Sequence, residues 1–505
     1  MNLQTVHIRV NDAATGQPTP VRLRVTDAAG NYYAPFGHAR EFPVGRGEAV
    51  GGDVTICGER WAYIDGTCEI ALPPGELTVA VRKGPEYRPL QQAVNLPAGK
   101  LSLRFVIERE TDLRAAGWFA GDTRAHAVSP HAALLEAAAE DLAVVHLLVR
   151  ETPVLADDGQ SYSTYPNLTA FCAQQACLER DGTAVCVGTL NAHPVLGKLA
   201  LLQSHRVVYP LTFGGPDATD DWSLADWCGQ CHRKRGLAIW ADAFDPKTGH
   251  AGEALADVIL AEIDALELNL GSSHCLRGWY HLLNAGVRVP VVGASAKNSN
   301  RTPLGEPRTY ARLDAGQPFR LADWIEAVRA GRTIVTGGPF LRLEVNGQGL
   351  GGVVRCPADT PQVRVRFGVG DPTLVERVTL VANGEVLSEP RPSGSAGSVQ
   401  LPDGCGFDEV AIDLPDGGWV AARALVGGRL IAHTSPVYVE VEGLAPFVDA
   451  AAMRFLDWHL RRAREWIEGE ASFALPKSRD HLLAIFDQAR QKLLARAGGS
   501  DTIAT

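Results

Sequence analysis

No stretch of this chain approaches the roughly 18 continuous apolar residues that a membrane-spanning helix needs, so a helical membrane anchor is excluded as a reading. Cysteine is scarce: ten in 505 residues, irregularly spaced, which argues against a disulfide framework and fits reduced thiols serving as small core residues. Charge of one sign is not concentrated anywhere. The formal net charge of -10 is modest and spread along the chain, which speaks against a nucleic-acid partner or an anionic membrane surface and leaves a small-molecule ligand. The opening residues MNLQTVHIRV carry neither a basic n-region nor an apolar h-region, and with the sparse cysteines they predict a cytoplasmic protein. There is no Gly-x-Ser-x-Gly elbow and no Walker loop, so serine-hydrolase chemistry and a nucleotide cofactor have no support.

What is present is a globular composition, 46% apolar and 21% charged, in a chain long enough for several domains. Over 1–110, short alternating runs such as VRLRV and LTVAVR between turn clusters predict an N-terminal β-sandwich. Over 111–340 the rhythm changes to buried strand then amphipathic helix, with seven strand candidates starting near Gly117, Leu142, Gly182, Arg206, Gly236, Ala265 and Val289. That alternation predicts parallel strands joined by crossovers, and the repeat number favours an α/β barrel. Strand patterns return over 341–442, where Asn383-Gly384 between apolar runs is a hairpin signal, and predict a second β-sandwich. The tail, 443–505, predicts a helical pair, its first member carrying a stripe at Met453, Leu456, Leu460, Ala463 and Ile467.

In a parallel barrel the carboxyl ends of the strands converge on one face, so the polar residues there are the candidates for chemistry. They are Asp122, Arg124 and His126 in GDTRAH; His146, Arg150 and Glu151; Asn191 and His193; Asp242 and Asp245; and Ser295, Lys297, Asn298 and Asn300. His146, inside LAVVHLLV, reads as a core histidine, and Asp122 as an acid that binds loop N–H groups. CGQCH (228–232) matches a haem-attachment pattern, but Leu224, Trp227, Cys228 and Cys231 fall at i, i+3, i+4, i+7, so both thiols continue a buried helical stripe and haem is not expected.

The segments GWFAGDTRAH, LGKLALL, GLAIWADAF, WYHLLNAGVRVPVVGAS, PLGEPRTYARL and WIEAVRAGRTIVTGGPFLRLEVNG resemble the carbaryl-hydrolase-like (CehA/McbA) branch of the polymerase-and-histidinol-phosphatase (PHP) metallohydrolases. The resemblance implies a distorted seven-strand PHP-type (β/α) barrel flanked by the two sandwiches. It also implies a metal-dependent hydrolase of the ester, carbamate or phosphoester class. The ligand positions depart from the family. Asp122 and His126 match its Gly-Asp-x-His-x-His, but Arg124 replaces the first His; Lys198 follows Gly197 where Gly-His belongs; Asp242 ends the strand where Pro-His belongs; Ser295 falls on or beside the Asp of Gly-Thr-Asp. A guanidinium has no lone pair and repels a metal, so the full family complement of divalent metal is not expected. What remains is one weaker metal on His126 and Asp242, with His193 as third ligand or general base, or, in a different class of function, a non-catalytic protein whose pocket binds an anion through Arg124, Lys198 and Lys297 without a metal. In both readings Asp122 and Ser295 are structural residues of the site.

Overall fold

The structure, a computed structural model, describes residues 3–37, 42–43, 49–155, 159–215, 218–314, 316–370, 375–388, 399–400 and 406–496. The expected second sandwich (341–442) and helical tail (443–505) therefore fall partly outside the described residues. Strand outweighs helix, 39% against 21%. The chain divides into two compact units. The first comprises Met1–Val187, Ala294–Arg308 and Leu313–Leu321; the second comprises Gly188–Gly293, Thr309–Arg312 and Ala322–Thr505.

In the first unit, strict alternation in Gln4–Asp12 and Val21–Asp27 sends Val6, Ile8, Val10, Val21, Leu23 and Val25 inward. Gln4–Asp12 pairs with Ser102–Ile107 and Thr67–Leu72, while Val21–Asp27 lies in a sheet with Gly75–Arg82, Leu90–Leu96, Glu59–Ile64 and Asp53–Ile56. The inward residues of both sheets share one core, which makes a β-sandwich. Beyond it, Trp118–Ala125 and Val144–Val149 are parallel and are connected through the helix Pro130–Ala139. That helix starts where Ser129 accepts the Ala132 N–H at 3.2 Å and Pro130 supplies the first helical position.

The expected barrel is not formed: among the described residues no strands close into one. The reason is local to LNAHPVLGKLALL. The strand Thr183–His193 turns back within three residues into Gly197–Leu202, and the two pair antiparallel, as do Gly197–Leu202 and Leu237–Ala241. A loop that short permits a hairpin and no crossover helix, so the expected all-parallel order fails there. The strand expected near Arg206 is also absent. Residues 203–210 run as a loop, pinned by Asn191, whose Nδ2 donates to the carbonyls of Val208 and Pro210 at 2.9 and 3.0 Å.

Parallel pairing does hold for Leu237–Ala241 with Ala265–Glu267, and for Ala265–Glu267 with Val291–Val292. Further along the second unit Val353–Cys356 pairs parallel with Val437–Val441, and antiparallel pairs include Arg377–Ala382 with Glu385–Ser388, turned by Asn383 and Gly384 at φ 51° and 87°. Two helices, Ala450–Gly469 and Pro476–Arg496, end the described chain, and the stripe Met453, Leu456, Leu460, Ala463 and Ile467 is buried in the core of the second unit. Among the described residues no helix is long and apolar enough to cross a membrane.

Candidate functional site

A cavity of about 440 Å3 opens in the second unit at the end of the Gly197–Leu202 and Leu237–Ala241 pair. The antiparallel register sets Lys198 opposite Ala241, so the lysine stem runs beside the residue that follows, Asp242. Lys198 Nζ lies 2.7 Å from Asp242 Oδ2, and both side chains are about one-third exposed, 40% and 34%. At that exposure the pair contributes only ~0–1 kcal/mol to stability. Its chemical content is a donor with two further N–H groups beside a carboxylate with a second oxygen, both at a cavity wall.

The remaining wall is aromatic and polar. Trp240, Phe244 and Trp466 supply rings; Lys247, Thr248, His250 and Glu470 supply polar groups. Asp245 shapes the turn that delivers Lys247, its Oδ1 accepting the Lys247 N–H at 3.1 Å. His250 Nδ1 accepts the Gly252 N–H at 3.0 Å, which leaves the ring proton on Nε2. Burial, helped by the nearby Arg462 charge, pushes this imidazole down to about 4, so it is neutral at pH 7.

His193 lines the same cavity but is fully committed. Its Nδ1 accepts the backbone N–H groups of Val195 and Leu196 at 3.1 and 2.9 Å, and its Nε2 donates to Asp220 Oδ1 at 2.8 Å. Burial holds its pKa below the usual histidine range, with Asp220 working in the opposite direction. Asp220 in turn accepts the Ser472 N–H at 2.7 Å. The ring closes the Pro194 turn and joins it to the C-terminal segment, and neither nitrogen keeps a lone pair for a metal or a proton. The expected ligand or base role of His193 therefore does not fit this geometry.

The other expected residues lie in the first unit. Asp122 is fully buried; its Oδ1 accepts the N–H groups of Arg124 and Ser295 at 3.2 and 3.1 Å, and its Oδ2 accepts that of Gly305 at 2.9 Å. Burial raises its pKa while those hydrogen bonds oppose the rise. Ser295 Oγ accepts the Lys297 N–H at 3.2 Å, and both Arg124 and His126 are tied through backbone bonds to the same segment, Ala296 N to Arg124 O and His126 N to Lys297 O. The Arg124 side chain is buried. His126 Nδ1 donates to Leu148 O at 3.1 Å, which puts the lone pair on Nε2. His146 is enclosed in its strand, and burial pushes it down to about 4.

Lys297 corrects the expectation that it presents a charge to a ligand. The side chain is fully buried, and its ammonium reaches Thr302 O at 2.8 Å, Ser299 O at 3.2 Å and Glu136 Oε2 at 3.4 Å. Two carbonyls accept hydrogen bonds from the ammonium and the Glu136 carboxylate pairs with its charge, because the segment that follows folds back over it.

The donor chemistry does not fit a divalent metal at the expected positions. His193 has no lone pair to give and the Asp242 carboxylate already faces an ammonium. Among the described residues no three His, Cys, Asp or Glu side chains are grouped as ligands. Cys228 and Cys231 are buried in the helix Leu224–His232, and His232 bonds Asp264 at 2.8 Å, so CGQCH does not gather a metal or haem ligand set. Sequence reasoning missed the loop that carries Lys247 and His250, and also Trp466. The turn residues of DPKTG were legible as a turn, but nothing marked Trp466, which lies off the apolar stripe of its helix, as a cavity wall.

No known family model matches the chain, and no curated protein matches it. Among solved structures it is similar to an engineered protein at 13% identity and a TM-score of 0.14, over 36% of this chain and 50% of that one, so the chain spans half of its length. Two structures of the N-terminal four Ig domains of Dscam1, isoforms 6.9 and 8.4, align over 87% of this chain and 73% and 99% of theirs, at 6% and 7% identity and TM-scores of 0.14 and 0.13. Scores this low carry no argument about fold or function.

Proposed function

We propose that the chain is a metal-independent binding protein that takes a small molecule bearing an anionic group in the 440 Å3 cavity of its second unit. The observation that supports this most is the Lys198–Asp242 pair, held at 2.7 Å on the wall of a 440 Å3 cavity and still partly open to solvent. Lys198 keeps two N–H groups for an anion, and Lys247 adds a second ammonium from the adjoining turn. Trp240 and Trp466 offer faces for the rest of the ligand. Hydrolysis by the route implied by the PHP resemblance needs a base beside an activated water, and the Nδ1 lone pair of His193 is spent on the Pro194 turn. That favours binding over catalysis.

The test is calorimetry with inorganic phosphate, acetate and succinate in the presence of chelator, on wild type, Lys198→Gln and Asp242→Asn. A charge-assisted hydrogen bond is worth ~1.5–3 kcal/mol, so Lys198→Gln weakens anion binding by about 10- to 150-fold. Asp242→Asn removes the competitor for the ammonium and tightens binding. If none of the three anions binds, or if both variants bind like wild type, the reading is wrong.

A further inference from the structure

We propose that a second, smaller cavity of the same unit, walled by Phe244, Phe455 and Trp458 and lined by Arg277, is a binding site for a monocyclic aromatic carboxylate. The cavity measures about 220 Å3. A closed apolar cavity of ~150 Å3 accommodates benzene, so the extra volume leaves room for one small substituent on a ring. Phe455 and His459 lie 4.6 Å apart at 72°, Trp458 and His459 4.8 Å apart at 81°, and Phe244 and Phe455 6.3 Å apart. At these separations the wall rings pack on one another, and a ligand ring would add to the same cluster from the cavity side in offset or edge-on contact.

The charge at this cavity selects the substituent. The Arg277 guanidinium sits 5.6 Å from the centroid of the Phe455 ring, against the aromatic wall. Among the described residues it makes no ion pair, whereas Arg461, Arg462 and Arg464 of the Ala450–Gly469 helix pair with Asp457, Glu465 and Glu468 at 3.0, 2.5 and 3.2 Å. An unpaired planar fork beside aromatic walls matches a carboxylate on a ring in both geometry and sign. The carboxylate of Asp245, also in the lining, is engaged by the Lys247 N–H. His250 and His459 are both neutral at pH 7, each pushed down to about 4 chiefly by burial, so they line the site without adding charge.

The two cavities share Phe244, Asp245 and His250, but Lys198 and Lys247 line only the larger one. The inference therefore stands apart from the anion site proposed above, and the two fail separately. The experiment is calorimetry of the full chain with benzoate, benzamide and cyclohexanecarboxylate, on wild type, Arg277→Gln and Lys198→Gln, with quenching of tryptophan fluorescence as a second readout. Arg277 is exposed, so its replacement leaves the fold intact. Benzoate is expected to bind saturably at one equivalent and to weaken at least tenfold in Arg277→Gln; benzamide and cyclohexanecarboxylate bind at least tenfold more weakly to wild type; Lys198→Gln leaves benzoate affinity unchanged. Three results overturn the proposal: no saturable benzoate binding, equal affinity in wild type and Arg277→Gln, or a loss in Lys198→Gln in place of Arg277→Gln.

Discussion

His433 makes one contribution to the acid stability of the second unit that can be worked out from a single side chain. The ring is fully buried; Nδ1 donates to Thr434 O at 2.8 Å and Nε2 accepts from the Tyr280 hydroxyl at 2.7 Å, so the neutral form has every polar atom satisfied. Burial pushes its pKa down to about 3, opposed by the Thr434 bond and reinforced by the nearby Arg423 charge. In the unfolded chain the same group titrates near ~6.5. The folded value is the lower one, so between these pH values the unfolded state holds the extra proton and stability falls as pH falls. At pH 5 the loss from this residue is about 1.5 pH units at ~1.36 kcal/mol each, or ~2 kcal/mol. It hardly depends on the folded value, which lies well below 5. Urea unfolding at pH 7 and pH 5, followed by the fluorescence of Trp279, whose ring lies 5.0 Å from His433, measures it. Wild type should lose ~2 kcal/mol more than His433→Gln between the two pH values. His146, His250 and His459, also pushed down to about 4, act equally in both proteins and cancel from the difference. Parallel losses in the two proteins would refute the reasoning.

Two other buried charges give predictions of different sign. Glu253 is fully buried on the helix Gly252–Leu260, its Oε1 accepting the Ala225 N–H at 3.1 Å and its Oε2 without a partner among the described residues. Burial raises its pKa, so its protonated form stabilises the fold at low pH and that contribution is lost as pH rises above the ordinary carboxylate range. Glu253→Gln should therefore raise stability at pH 8 by ~1–3 kcal/mol and leave it unchanged at pH 4, as read from thermal melts; a destabilised variant at pH 8 would contradict this. Lys297→Met leaves Glu136 buried without its cation and should cost ~3–5 kcal/mol, most of it regained in Lys297→Met/Glu136→Leu. A single variant as stable as wild type in urea would show that the pair carries no such penalty.

The sequence by itself determined the features that depend on near neighbours along the chain. Alternation in Gln4–Asp12 placed the inward residues of the N-terminal sandwich, and Asn383-Gly384 marked a turn that only positive φ permits. The spacing of Leu224, Trp227, Cys228 and Cys231 made both cysteines core thiols. Helical and strand periods are properties of a few consecutive residues, and so they are legible. Only the tertiary structure decided how strands pair and which acceptor each cation meets. The Pro194 turn reversed the chain into a hairpin where a crossover was expected. Lys297, in the loop after Val291–Val292, was covered by its own following segment, while Lys198 was set beside Asp242 at a cavity wall. His193 spent both nitrogens on groups up to 27 residues away. A buried charge takes the acceptors that the packed chain brings to it, and those lie at sequence distances that no local pattern encodes.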